Sequence, residues 1–246
     1  MTQNRTLVVI PARLASSRLP DKPLALIGDD PMIIHVWRRA VEADIGPVLV
    51  ACGDKAIADA IEQAGGTAIM TDPALPSGSD RVWSAAQAFD PDGTYDCIVN
   101  VQGDLPFLEP RLVQAAVKAM KQGHADIGAL VSKITDPDEI KNPSVVKVAI
   151  DFSSNMTCAP ALYFSRSAIP SGDGPMYHHI GIYAYTRDAL KRFVSLQPGG
   201  LEIREGLEQL RALENGMRIS AGLVDTVPFG VDTHADLERA RLILAS

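Results

Sequence analysis

The apolar positions in the first half of the chain alternate between short continuous runs and longer stretches with helical spacing. Short runs rich in β-branched residues are typical of strands buried on both faces. They predict strands at Thr6–Ile10, Val48–Cys52, Thr67–Met70, Cys97–Val101 and Ile127–Ser132. Helical spacing predicts helices from Pro31 to Ala40, Asp54 to Ala64, about Asp80 to Phe89 and Pro110 to Lys121. This alternation predicts an α/β fold, a mostly parallel sheet covered by helices on both faces.

The pattern changes in the second half, where polar or turn-rich links join the apolar runs. No helical stretch is evident for some fifty residues, so we expect antiparallel strands at Val145–Ile150, Ala161–Phe164 and Ile180–Tyr185. Helices are predicted again at Arg187–Ser195 and around Glu205–Asn215, and a late strand at Ile219–Val224. Thr233 and Asp236 have the spacing of a capping box that opens a last helix. The prediction is one domain, residues 1–246, with an arm inserted at about 133–200.

Composition narrows the possible functions. The 246 residues are 46% apolar and 22% charged, enough for a sizeable core, and the net charge of −7 argues against nucleic-acid binding. Three widely spaced cysteines without a CxxC pattern favour neither a disulfide framework nor a zinc site, and indicate a reducing compartment. No apolar run has the length of a signal peptide core or a membrane span, so the expectation is a cytoplasmic protein without membrane contact.

The sequence PARLASSRLPDKPL, residues 11–24, is the clearest candidate for anion binding. It follows the first predicted strand, and ligands of open α/β sheets bind beyond the carboxyl ends of strands. Arg13, Arg18 and Lys22 are cations suited to phosphate, Ser16 and Ser17 add small donors, and the prolines limit the freedom of the loop. On composition alone, an ordinary solvated basic loop fits equally well. Neither a P-loop nor a GxGxxG motif is present.

Two carboxylates are placed where a phosphate-escorting metal could bind. Asp104, in NVQGDLPF, follows a predicted strand, and Asp232, in GVDTHADLERA, precedes the last helix. If they meet across strand ends they form a plausible Mg²⁺ site, although each also suits an ordinary turn or cap. The sequence SGSDRV, residues 77–82, opens a predicted helix, where exposed amides suit an anion and where Ser79 or Asp80 could simply cap the helix.

Taken in chain order, these motifs and four further ones resemble the 3-deoxy-D-manno-octulosonate (KDO) cytidylyltransferase family. The further motifs are NPSVVKV, YFSR, HHIGIYAY and LEQLR, and the resemblance runs from about Thr6 to Arg241. It implies a nucleotide-diphospho-sugar-transferase-like α/β/α sandwich, a dimerisation arm and a homodimer. It also implies a Mg²⁺ requirement and CTP and KDO as substrates.

The resemblance also implies roles for individual residues. Arg13 and Lys22 would contact the CTP phosphates, Asp104 and Asp232 would hold Mg²⁺, and these four are the predicted catalytic residues. The other predicted nucleotide-binding residues are Ala12, Ser77, Gly78 and Arg81. The predicted sugar-binding residues are Gln102, Arg166, His179, Tyr183, Glu208 and Gln209, with Arg166 as partner of the sugar carboxylate.

Two alternatives to KDO activation stay open. One is the same reaction on another acidic sugar, such as an 8-amino analogue of KDO or a sialic acid. The other is a catalytically silent nucleotide-binding scaffold on the same fold, although all four predicted catalytic residues are present. The chain departs from many family members at residues 168–177, a short Gly- and Pro-rich segment in the predicted arm.

Overall fold

The computed structural model of the protein describes residues 5–15, 18–152 and 156–245. Ser16 and Ser17 of the basic loop lie outside these residues. The strands are β1 Thr6–Ala12, β2 Leu26–Ile27, β3 Asp30–Pro31, β4 Val48–Cys52, β5 Thr67–Met70, β6 Cys97–Asn100, β7 Ile127–Lys133, β8 Lys147–Ala149, β9 Cys158–Pro160, β10 Tyr163–Ser165, β11 Tyr177–Thr186 and β12 Ile219–Val224. The helices are α1 Met32–Val41, α2 Lys55–Gln63, α3 Gly78–Phe89, α4 Pro110–Gln122, α5 Pro137–Lys141, α6 Arg187–Ser195, α7 Gly200–Glu205, α8 Gln209–Glu214 and α9 His234–Ala245, with a 3₁₀ turn at Lys22–Leu24.

The chain forms two compact units. The first comprises Met1–Val113 and Pro228–Ser246, and the second Gln114–Val227. In the first unit, strands β5, β4, β1 and β6 pair in that order and all in parallel. In the second, β12 runs parallel to β7, whereas β11 pairs antiparallel with β7 and β9 with β12. The predicted α/β class with a mostly parallel mixed sheet is confirmed. The single domain with an arm at 133–200 stays a prediction.

The core of the first unit explains why its site lies at the end of β1. Four consecutive residues of this central strand, Leu7 to Ile10, are 0% exposed, so the strand is buried on both faces as its apolar run predicted. The neighbouring strand β4 is also buried from Leu49 to Cys52. These two buried stretches carry no charged side chain, and Arg13 and Asp54 follow their carboxyl ends, where ligands of open α/β sheets bind.

The sequence predictions were wrong at several element boundaries. A short helix, α5, lies in the segment expected to lack helices, and Asp136 caps it by accepting from Asp138 N at 3.0 Å. The helix predicted around Glu205–Asn215 begins only at Gln209, as α8, because Gly206, at φ 64°, ends the preceding helix α7 in the left-handed conformation. Helix α7 was not predicted. Strand β9 was not predicted.

The predicted caps also had mixed outcomes. Asp54 occupies the cap position of α2, but its carboxylate accepts from Leu14 N at 2.8 Å instead of capping the helix. The capping box that opens α9 is confirmed: Thr233 N donates to Asp236 at 2.9 Å and Asp236 N donates to the Thr233 hydroxyl at 3.2 Å. Within the described part of the chain, none of the helices combines the length and apolarity needed to cross a membrane.

Candidate active site

The ends of β1 and β6 bring the basic loop and the first carboxylate together. Val101 N donates to Val9 O at 3.1 Å, which continues the parallel pairing just beyond β6. A Cβ on Gly103 would lie 2.9 Å from Pro11 O, so only glycine allows the two segments to approach this closely. Val231 N then donates to Asp104 O at 2.9 Å. This backbone contact places Asp232, far along the chain, beside Asp104.

Asp104 and Asp232 share one cation, the ammonium of Lys22. Lys22 Nζ lies 2.8 Å from Asp104 Oδ2 and 3.0 Å from Asp232 Oδ1, and the Lys22 side chain is 17% exposed. Burial lowers the pKa of Lys22, but the two carboxylates outweigh it and the net pKa is raised. Lys22 is therefore charged at neutral pH, and two carboxylates face a single cationic position.

Arg18 forms an ion pair with the second carboxylate, Asp232. Its guanidinium lies 3.2 Å from Asp232 Oδ2, and the side chains of Arg18 and Asp232 are 65% and 45% exposed. Leu14, next to Arg13, is held by Asp54, whose carboxylate accepts from Leu14 N. The role of Arg18 was open from sequence; in this structure it pairs with a carboxylate.

The loop, the carboxylates and the start of α3 line two neighbouring clefts in the first unit. The larger, of about 390 Å³, is lined by Pro11, Ala12, Arg13, Ala15, Arg18, Lys22, Pro23, Gln102, Gly103, Asp104 and Asp232. The smaller, of about 130 Å³, is lined by Pro11, Ala12, Arg13, Ser77, Gly78, Arg81 and Gln102. Four residues line both clefts, so one elongated ligand can occupy both. All predicted nucleotide, metal and catalytic residues, with Gln102, lie here.

The start of α3 supplies a donor-rich end to the smaller cleft. Ser77, rather than Ser79 or Asp80, is the cap residue, and its hydroxyl accepts from Asp80 N at 3.2 Å. Arg81 is only 2% exposed and donates to Thr71 Oγ1 at 2.5 Å. Burial, and after it the charge of Arg13, lower the pKa of Arg81. An anion placed between Arg13 and Arg81 would relieve this repulsion.

Two of the predicted sugar residues of the second unit, His179 and Tyr183, contact each other on β11. The rings of His179 and Tyr183 lie 5.3 Å apart, and Phe164 stacks edge-on against His179 at 5.1 Å. Burial lowers the pKa of His179 to about 3, with a smaller contribution from His178. Burial, followed by Tyr185 and Glu208, raises the pKa of Tyr183. Both groups are therefore neutral hydrogen-bonding partners at pH 7.

Two of the predicted sugar residues each have a shielded nitrogen without a hydrogen-bond partner among the described residues. His179 Nε2 and Gln209 Nε2 are closed off from solvent and make no hydrogen bond to any residue that the structure describes. Gln209 as a whole is 7% exposed. A buried polar group without a hydrogen bond costs about 1–3 kcal/mol of stability. Such groups are therefore expected where a polar ligand supplies the missing hydrogen bond.

Arg166, the predicted partner of the sugar carboxylate, is held by backbone contacts in the structure. It is exposed, and its guanidinium donates to three backbone carbonyls: Glu205 O at 2.8 Å, Pro143 O at 3.0 Å and Gly206 O at 3.3 Å. Two of its five N–H groups remain beyond these bonds. Arg166 therefore braces the turn before α8, and a carboxylate could be bound only by the remaining pair.

Sequence reasoning missed the two residues that fix Arg166. The Glu205 carboxylate accepts from Arg166 N at 3.0 Å and from the Ser165 hydroxyl at 2.8 Å. Lys147 is 0% exposed, and its ammonium donates to Asn142 O, Val145 O and Arg166 O at 2.9, 2.7 and 2.6 Å. The one available signal was a lysine inside the apolar run VVKV, which requires buried acceptors.

The carboxylate pair is the arrangement in the first unit best suited to a metal. Its oxygens already converge on one cation, and hard oxygen ligands are what Mg²⁺ prefers. Within residues 5–15, 18–152 and 156–245, no group of three or more His, Cys, Asp or Glu is arranged to hold an ion. A metal at Asp104 and Asp232 would thus need further oxygens from water and ligand.

Two curated relatives of this chain and one solved structure similar to it have names that describe the same activity. The family described as Cytidylyltransferase matches residues 7–219. The 3-deoxy-manno-octulosonate cytidylyltransferase of Paramagnetospirillum magneticum is 56% identical over 99% of both chains, and that of Parvibaculum lavamentivorans is 59% identical over 97% of this chain and 92% of its own. A solved structure of CMP:2-keto-3-deoxy-manno-octonic acid synthetase complexed with CTP is 37% identical, with a TM-score of 0.88 over 98% of both chains.

Proposed function

This chain belongs to the 3-deoxy-manno-octulosonate cytidylyltransferase family, and we propose that it performs the reaction of that family at the clefts of its first unit. The reaction is CTP + KDO → CMP-KDO + pyrophosphate. The anomeric hydroxyl of the sugar attacks the α-phosphorus, and pyrophosphate leaves in line. The observation that supports the assignment most strongly is that Asp104 and Asp232 both contact the Lys22 ammonium, in a cleft that Arg13 and Arg18 also line.

The nucleotide occupies the two adjoining clefts. Arg13 and Lys22 bind the phosphate oxygens and offset the charge that builds there in the transition state, an effect that needs no reorganisation when the donors are already placed. The start of α3, with Ser77 and Gly78, and the buried Arg81 frame the rest of the nucleotide. Support comes from the relative of similar fold described as complexed with CTP.

Asp104 and Asp232 are the proposed ligands of Mg²⁺. When bound, Mg²⁺ lowers the pKa of an oxygen ligand such as a sugar hydroxyl and offsets phosphate charge. The chain's own part is to hold both carboxylates in one place, through Gly103 on one side and the Val231–Asp104 backbone bond on the other. No side chain is assigned as a general base.

The sugar is bound by Gln102, Arg166, His179, Tyr183, Glu208 and Gln209 in this proposal. The shielded nitrogens of His179 and Gln209 support the assignment, because hydroxyl or carboxylate oxygens of a sugar would complete their bonding. The raised pKa of Tyr183 keeps its hydroxyl a donor at neutral pH. Arg166 offers its two remaining N–H groups to the sugar carboxylate while its other three hold the backbone.

The variant Gln209→Leu is expected to raise the KM for KDO by roughly tenfold and to leave the KM for CTP unchanged. It keeps the side-chain size but removes a buried donor, a loss worth about 1–3 kcal/mol. Steady-state pyrophosphate release with either substrate varied measures both constants. Gln63→Leu, an exposed glutamine at the end of α2, is the matched control. Equal KM values for the sugar in wild type and a well-folded Gln209→Leu would remove Gln209 from the sugar site.

The proposed function is tested by pyrophosphate release from CTP with a panel of acidic sugars. We expect the highest kcat/KM with KDO, a lower value with 8-amino-KDO and none with a sialic acid. Faster turnover of the 8-amino sugar would reassign the substrate within the same reaction class. Calorimetric binding of CTP without turnover of any sugar would instead support a silent nucleotide-binding scaffold.

We further propose a homodimer in the cytoplasm, built through the arm at about 133–200. Leu162, within this arm, and Ile203, just beyond it, are large apolar side chains that are 71% and 72% exposed, which suits a surface that is covered by a partner. None of the three cysteines, all of them described in the structure, forms a disulfide, which suits a reducing compartment. Sedimentation velocity gives the oligomeric state, and a monomer at micromolar concentration would contradict this part of the proposal.

A further inference from the structure

The ammonium of Lys22 sits where a metal ion is proposed to bind. Asp104 Oδ2 and Asp232 Oδ1 lie 2.8 and 3.0 Å from the same nitrogen. An ammonium and a divalent ion cannot share one pair of oxygens at such distances, because they would repel each other strongly at close range. Lys22 therefore occludes the metal position whenever it is paired as it is here.

We propose that Lys22 is an internal cation that holds the Asp104–Asp232 pair in the nucleotide-free protein, so that a divalent ion enters only together with nucleotide phosphates. This inference rests on the proposed function, in which Asp104 and Asp232 bind Mg²⁺ and the clefts bind CTP. The inference gives Lys22 two successive roles. Before nucleotide binds, Lys22 excludes a free metal ion from the carboxylate pair, and afterwards it binds the nucleotide phosphates.

The charge of the larger cleft supports this order. Three cations, Arg13, Arg18 and Lys22, face two carboxylates along its lining, so the formal charge is +1 before any ligand binds. A free divalent cation gains little on entering such a site, whereas a metal carried on a nucleotide brings a net negative charge. The nucleotide thus neutralises the loop at the same moment as the metal reaches Asp104 and Asp232.

The ligand count leads to the same conclusion. Among the described residues, no third carboxylate, histidine or cysteine joins the pair. Mg²⁺ demands six oxygens and gives up its water reluctantly, so two protein ligands must be supplemented by phosphate oxygens and water. A metal without nucleotide would have to displace the ammonium of Lys22, whose side chain is only 17% exposed, and would gain only two protein ligands.

Lys22 can leave the pair without disturbing the fold. Its backbone is fixed in the short turn Lys22–Leu24, where Leu24 N donates to Asp21 O at 2.8 Å, while its side chain is a flexible four-carbon stem. Arg13 lines the same cleft, so phosphates held by Arg13 lie within the cleft that Lys22 also lines. Rotation of one side chain exchanges a carboxylate partner for a phosphate partner.

The test uses Mn²⁺ as a spectroscopic probe of the full-length protein without nucleotide. Electron paramagnetic resonance counts free Mn²⁺ during a titration of wild type, Lys22→Met and the control Lys55→Met, which breaks an exposed lysine–aspartate pair at Asp59. We expect Lys22→Met to bind Mn²⁺ at least about tenfold more tightly than wild type, because the competing cation is gone. Lys55→Met should match wild type, and added Asp104→Asn should abolish the gain.

Two outcomes overturn the inference. Nucleotide-free Mn²⁺ binding that is equal or weaker in a folded Lys22→Met shows that Lys22 does not occlude the pair. Tight Mn²⁺ binding by nucleotide-free wild type, lost in Asp104→Asn, shows the same without relying on the Lys22 variant. The proposed function fails separately, if wild type releases no pyrophosphate from CTP with any acidic sugar, and the Mn²⁺ comparison does not depend on that assay.

Discussion

Replacing Asp104 by asparagine should lower the rate of CMP-KDO formation by at least about a thousandfold while the protein stays folded. The amide keeps the size of the side chain and can still contact Lys22, but it removes one of the two charges that a divalent ion needs. Because Asp104 is 28% exposed and contacts Lys22 rather than the apolar core, little stability should be lost. Pyrophosphate release measures the rate, and circular dichroism melting measures the fold.

A matched control separates loss of the site from loss of any paired aspartate. Asp59→Asn removes a carboxylate that pairs with Lys55 on an exposed helix face, and its turnover should equal that of wild type. Asp232→Asn should behave as Asp104→Asn does. Near-normal turnover of Asp104→Asn would remove this residue from the metal site and leave the carboxylate pair without its assigned function.

Arg211→Met should lower the free energy of unfolding by about 3–5 kcal/mol. Arg211 and Glu202 form a two-bond pair, with N···O distances of 2.8 and 2.6 Å, and their side chains are only 8% and 12% exposed. The Arg211 guanidinium also lies 5.0 Å from the centroid of the Phe193 ring. Methionine fills similar volume but leaves Glu202 buried without its charge partner. Urea unfolding at pH 7 measures the loss.

The pH dependence gives this prediction a second, independent readout. Burial raises the pKa of Glu202, but the hydrogen bonds from Arg211 and Gly199 N outweigh it, so the folded pKa lies below the ordinary value. The contribution of the pair is therefore complete above the unfolded pKa of about 4.3 and is lost as the pH falls through the folded pKa. The difference between wild type and Arg211→Met should shrink over that range.

The control for the buried pair is an exposed one. Arg38 pairs with Asp30 through side chains that are 48% and 37% exposed, so Arg38→Met should cost less than about 1 kcal/mol. A similar, small cost for Arg211→Met would show that the Glu202 pair contributes no more than a surface pair. A difference from wild type that stays constant down to pH 3 would contradict the assigned role of Glu202.

The sequence by itself determined most of the first unit. Strands buried on both faces need continuous apolar runs, and amphipathic helices need a 3.6-residue period, so β1, β4 and β5 could be located from neighbouring residues alone. It also located the basic loop at a strand end, and the order of its motifs indicated the family. Local patterns were weaker in the second unit, where strands of three residues such as β9 carry too few positions to show a period.

Only the tertiary structure decided which distant groups meet. Lys22 and Asp232 are 210 positions apart in the chain, and their contact follows from Gly103 and the Val231–Asp104 bond, which no local pattern encodes. The loop therefore proved to be more than a phosphate-binding segment, because one of its cations is paired with the proposed metal ligands. Long-range contacts depend on strand order and on the close approach of backbones, and both are properties of the folded chain.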